Sequence, residues 1–101
     1  MMEKGFIMCQ GRHEPPNEKI CRRYHIDPKD GLFPKWLEPF DFQAMDEYLD
    51  EKLVGVTKLN LVVTGLSTAL LEICKYCANH GIAVTCLHYD SVARKYKVQR
   101  L

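Results

Sequence analysis

Three short polar clusters in this chain carry the residue types from which a phosphate or carboxylate site is built. Gly11-Arg12-His13-Glu14 offers an arginine that can fork a phosphate, together with a histidine and a glutamate suited to acid or base work. Thr64-Gly65-Leu66-Ser67-Thr68 offers a glycine for a tight turn, neighbouring hydroxyls and, where a helix follows, its unpaired backbone N–H groups. His88-Tyr89-Asp90 sets a histidine and a carboxylate on the same side of a strand, so that one could orient the other. The candidate ligand contacts are Arg12, Glu14, Gly65, Ser67, Thr68 and Asp90, and the candidate acid/base groups are His13 and His88.

Each cluster also has a plainer reading. Ser67 or Thr68 could do no more than cap its own helix. Residues 11–14 could be an exposed turn ahead of Pro15-Pro16, and a histidine at a hairpin end is commonly just solvated. The clusters gain weight together, because each closes an apolar run that reads as a strand: Phe6 to Cys9, Leu59 to Val63 and Ile82 to Tyr89. If those strands are parallel neighbours, all three clusters fall on one edge of one sheet, where open α/β folds place their ligands.

The elements that must hold them are legible to different degrees. Asp41 is a favoured N-cap, with Phe40 and Met45 at the spacing of a hydrophobic staple, and a helix from Phe42 to about Leu53 follows. Its apolar stripe is Phe42, Met45, Leu49 and Leu53, and the acidic Asp46, Glu47, Asp50 and Glu51 read as a solvated face. A second helix runs from Ser67 to His80, closed by Gly81, with Leu70, Ile73, Cys74 and Cys77 as its stripe. Lys95 to Arg100 makes a last strand, joined to its predecessor by a short connection that predicts an antiparallel hairpin. Its cations are explained by an exposed sheet edge as well as by a basic patch.

Residues 12–40 are punctuated by Pro15-Pro16, Asp27-Pro28, Asp30-Gly31, Phe33-Pro34 and Glu38-Pro39. They read as a long, Pro-rich ordered loop, with one or two helical turns from Glu18 to Tyr24 capped by Asn17. Leu32, Phe33, Trp36, Leu37 and Phe40 are too apolar for a solvated linker and must be core or a partner surface.

The expected fold is therefore α/β: one domain over residues 1–101, a small two-layer or three-layer Rossmann-like sheet with three parallel strands, a C-terminal antiparallel strand and two main helices. Alternation in strand Leu59 to Val63 gives one helix-covered face and one partly open face, and a second copy could close the open one, so a homodimer is expected. The chain of 101 residues carries a formal net charge of +1, which gives no global reason for nucleic-acid or membrane binding. No stretch reaches bilayer-spanning length and the N-terminus does not read as a signal peptide, so a cytoplasmic location is expected. The five cysteines are an odd set and read as reduced thiols. Cys74-x-x-Cys77 falls in mid-helix on the apolar stripe, a place for packing rather than for metal or redox work, and no metal or cofactor motif is found elsewhere.

The stretch from the strand Leu59 to Val63 through Gly65, Ser67 and Thr68 into its helix resembles the ligand edge of small Rossmann-like domains that sense nucleotide second messengers, including those of bacterial CRISPR defence. The resemblance covers one strand and one helix and implies a nucleotide at that edge. Three readings follow: a binding module for an anionic small molecule such as a nucleotide; a phosphate-ester hydrolase or ring-nuclease-like enzyme using the same edge; and a protein-interaction module with no small ligand.

Overall fold

The computed structural model describes residues 2–11 and 14–101. The elements run β1 (Glu3–Cys9), α1 (Glu18–Arg23), β2 (Ile26–Phe33), α2 (Phe42–Lys52), β3 (Lys58–Val62), α3 (Ser67–Asn79), β4 (Ala83–Asp90) and β5 (Lys95–Arg100). They form one five-stranded sheet in the order β2-β1-β3-β4-β5. The first four strands are parallel and β5 pairs antiparallel with β4, so the protein is α/β with a mixed, mostly parallel sheet.

Two apolar clusters sit on opposite faces of the sheet. Phe6, Met8, Leu59, Leu61, Val84 and Cys86 pack beneath α2 and α3, which contribute Met45, Leu49, Ile73 and Cys77. On the other face Ile7, Val62 and Leu87 meet Cys21 of α1 and Ile26 of β2. The period-two alternation of the strands separates these sets. Because α1 covers the second face over Ile7 and Val62, the arrangement is three-layered. What stays open is its far end, where Tyr89 and Val98 are half exposed.

The segment read as a long loop holds α1 and β2, giving four parallel strands rather than three. Asn17 does cap α1, its Oδ1 accepting from the Ile20 N–H at 2.9 Å. β2 is an edge strand, where the missing N–H of Pro28 is tolerated. Its pairing jumps from Gly5↔Ile26 to Ile7↔Gly31, so residues 27–30 bulge out of the ladder. Of the apolar residues in and after β2, Leu32, Phe33 and Leu37 are core, whereas Trp36 is 81% and Phe40 71% exposed.

The later elements lie close to where the sequence places them. Asp41 caps α2, its Oδ1 accepting from the Ala44 N–H at 3.0 Å, and Met45, Leu49 and Leu53 are buried while Phe42 stays partly exposed. Among the described residues no helix is long and apolar enough to cross a membrane.

Candidate functional site

The order β2-β1-β3-β4 fixes where a ligand crevice must lie. From β1 the chain turns through α1 on one face to β2; from β3 it turns through α3 on the other face to β4. The connections leaving the carboxyl ends of β1 and β3 thus diverge, and that topological switch point is where doubly wound sheets bind ligands. Gln10 and Gly11 follow β1 and residues 63–66 follow β3, so they flank this point, whereas Glu14 is exposed and acts electrostatically on Tyr96 of β5. Arg12 and His13 lie outside the described residues.

The β3 side of the crevice is built from a glycine turn and an uncapped helix. Gly65 has φ +89°, a conformation that a β-carbon disfavours, and it carries the chain from β3 to α3 in a sharp turn. The N-cap of α3 is Leu66, which makes no side-chain capping hydrogen bond. Leu70 N–H donates to the Leu66 carbonyl at 3.0 Å, the first bond of the helix. The amides of Ser67, Thr68 and Ala69 precede it, and the helix dipole places partial positive charge among them. Ser67 and Thr68 are therefore in the first turn rather than at the cap, so the simple capping role does not describe them.

Two hydroxyls beside this turn have no partner. Thr64 Oγ1 and Thr68 Oγ1 are both shielded from solvent and make no hydrogen bond. A buried hydroxyl without a partner costs about 1–3 kcal/mol, so each is an opportunity for a ligand oxygen. Thr64 belongs to the cluster on sequence grounds, but only its burial singles it out from Ser67, which is exposed.

The third cluster is spent on structure. The Asp90 carboxylate accepts from the N–H groups of Val92 at 3.0 Å and Ala93 at 3.1 Å, closing the hairpin turn in which Arg94 takes φ 54°. The Ala93 amide, the Val92 amide and nearby Lys97 and Lys95 hold this carboxyl below its usual range. His88 Nε2 lies 2.8 Å from Gln99 Oε1 on the paired strand, instead of bonding Asp90. β4 is also one strand further from the switch point, about 5 Å beyond β3.

No family profile, no curated protein and no solved structure matches this chain. The site must speak through its own geometry.

Other polar features lie away from this edge. A cleft of about 580 Å³ runs along α1 and is lined by Asn17, Glu18, Lys19, Arg22 and Arg23. Arg22 is already paired with Glu18, and these are solvated side chains on a six-residue helix, a weaker anion trap than fixed amides. No group of described His, Cys, Asp and Glu residues could hold a metal ion. Four of the five cysteines, Cys9, Cys21, Cys77 and Cys86, are buried, and burial, with smaller contributions from Cys74 and Cys86, pushes the Cys77 thiol up to about 12.

Asn60 falls on the face of β3 that the strand's alternation leaves partly open, but α1 covers that face here, with Val62 only 3% exposed. Asn60 is 1% exposed in mid-sheet, and its Nδ2 donates to Glu3 Oε2 at 2.7 Å and to the Tyr24 carbonyl at 3.0 Å. That carbonyl ends α1, so Asn60 ties the covering helix to the sheet. No local pattern could have found it, because its partners are remote in sequence.

Proposed function

We propose that this protein is a small α/β binding module that takes an anionic small molecule, a nucleotide or a simple phosphate ester, at the carboxyl edge of β1 and β3. One observation carries the reading: the uncapped first turn of α3 opens at the topological switch point beside the unpartnered hydroxyls of Thr64 and Thr68. In this reading the amides of Ser67 and Thr68 bind the anion, Gly65 lets the turn approach it, and the Thr64 and Thr68 hydroxyls donate to its oxygens. Arg12, next after Gly11 in the sequence, is assigned the balancing charge, and Glu14, which acts electrostatically on Tyr96 of β5, is left out of the contact set. Binding is preferred over hydrolysis because, among the described residues, the groups nearest the switch point are donors, while His88 and Asp90 are engaged elsewhere.

Isothermal titration calorimetry with inorganic phosphate and with AMP tests this. Saturable binding that weakens in Arg12→Ala and in Thr68→Val is expected; no heat with either compound at millimolar concentration would sink it.

A second reading has its own observation. Trp36 and Phe40 stand exposed on the loop that follows β2, at the same edge of the sheet, as an apolar surface for a protein partner. Trp36 is the chain's only tryptophan, so its fluorescence separates the readings. We also propose that two copies associate through the uncovered end of the sheet at Tyr89 and Val98, beside Tyr96, which is partly buried against the α1 side.

A further inference from the structure

Helices α2 and α3 pack side by side and are joined at two levels. Asp50 meets Tyr76, and one turn earlier on both helices Asp46 and Glu72 line the same cleft. Residue numbers rise together across the two joints, so the helices run in the same direction and their N-termini lie at the same end. On α3 the residues Thr68, Glu72 and Tyr76 recur every fourth position and share one face, and His80, the C-cap, continues the spacing.

The joint further from the N-termini is insensitive to ordinary pH. Tyr76 Oη donates to Asp50 Oδ1 at 2.7 Å, and burial together with that bond pushes the phenol up to about 12. The Tyr76 ring stacks on His80 with centroids 3.9 Å apart, and His80 Nδ1 lies 2.8 Å from the Tyr76 carbonyl oxygen.

The joint nearer the N-termini is a pair of carboxyl groups. Glu72 is 9% exposed and Asp46 is half-buried, and the two line one cleft a single turn before the 2.7 Å Tyr76–Asp50 bond, which sets their carboxyl groups against each other. Carboxylates only accept, so a hydrogen bond between the two requires that one of them carry a proton. Among the described residues neither forms an ion pair. The groups facing the pair are Asp50 from α2 and Lys75, Tyr76 and His80 from α3, all lining one cleft of about 320 Å³. Lys75 acts on Glu72 only through space and opposes the larger effects of Asp46 and of burial, which raise the Glu72 carboxyl above its usual range.

We propose that Asp46 and Glu72 form a proton-operated latch between α2 and α3, closed while the pair holds one proton and sprung when both carboxyls ionise. Two adjacent carboxylates repel, and their repulsion acts at the N-terminal ends of the helices while the Tyr76–Asp50 joint remains as the pivot. Thr68 lies one turn before Glu72 on the same face, so springing the latch loosens the first turns of α3. Its effect on ligand affinity rests on the anion-site reading; the latch itself does not.

Carbon-detected NMR of the side-chain carboxyls in the unaltered protein tests the pair directly. The Glu72 midpoint is expected above the ordinary carboxylate range and should fall in Asp46→Asn, whose amide donates to an ionised Glu72. In parallel, the backbone amides of Leu70 to Ile73 should lose protection from hydrogen exchange, corrected for intrinsic rate, as pH rises through that midpoint. In Glu72→Gln, whose amide can donate to the Asp46 carboxylate without a shared proton, that loss should vanish. A Glu72 midpoint at or below the ordinary range, or protection that is indifferent to pH in the unaltered protein, would overturn the latch. Neither measurement needs phosphate, so a failed calorimetric titration leaves this test intact.

Discussion

Thr68 shows how one side chain can be costly to the fold and useful to a ligand. Its hydroxyl is buried without a partner, so the isosteric Thr68→Val removes an unsatisfied group and keeps the volume. The ligand-free protein is expected to stay as stable or gain about 1 kcal/mol, read from urea unfolding. Phosphate affinity should fall at the same time by roughly tenfold or more, the worth of a hydrogen bond to a charged oxygen. Destabilisation by 2 kcal/mol or more would mean that the hydroxyl has a structural partner after all. The sequence showed Ser67 and Thr68 as equals; the difference between them is burial, which depends on how α3 lies on the sheet. Gly65 was readable for a more local reason, since only a turn with positive φ links a strand to a helix so abruptly. Asp90 was readable as important but not for its purpose, because the same short carboxylate serves an Asx turn or a ligand equally well.

At the scale of elements, the helices with capping and staple patterns were read to within a residue or two, and the strand β2 was missed. The physical reason lies in the residues that make it irregular. Asp27-Pro28 and Asp30-Gly31 are turn formers in isolation, and here they occupy a bulge on an edge strand, where neither a missing N–H nor an unpaired residue disrupts a central ladder. Gly31 then re-enters the pairing where the chains touch. A β-carbon added to it would sit 2.6 Å from the Gln10 backbone nitrogen and 3.0 Å from its Cα, contacts that backbone cannot readily relieve. Gly31→Ala should therefore destabilise by about 1–3 kcal/mol in urea unfolding, an overpacking cost rather than a conformational one. Because Gln10 leads into the β1 side of the crevice, the same variant should also weaken phosphate binding. An unchanged midpoint would mean that β2 is not held against β1 at this register.

For the molecule as a whole, the question is what covers the far end of the sheet. β5 is an edge strand whose Lys95, Lys97 and Arg100 would face cations of a second β5 in an antiparallel self-pairing, so edge-to-edge association is disfavoured. Association through the face is not opposed in this way. Tyr89 and Tyr96 pack edge to face with centroids 5.2 Å apart, and Val98 follows on the same side of β5, pairing with buried Leu87. These side chains make a patch smaller than the 800 Å² or so that each partner of a stable dimer usually buries, so a weak, concentration-dependent dimer is expected. Sedimentation velocity over a hundredfold concentration range should show it, with Val98→Lys abolishing association and Lys97→Glu, on the other side of the strand, leaving it intact. A monomer throughout that range would remove the dimer. Loss of association in Lys97→Glu alone would instead place the contact on the α3 side of β5, the side on which His88 meets Gln99.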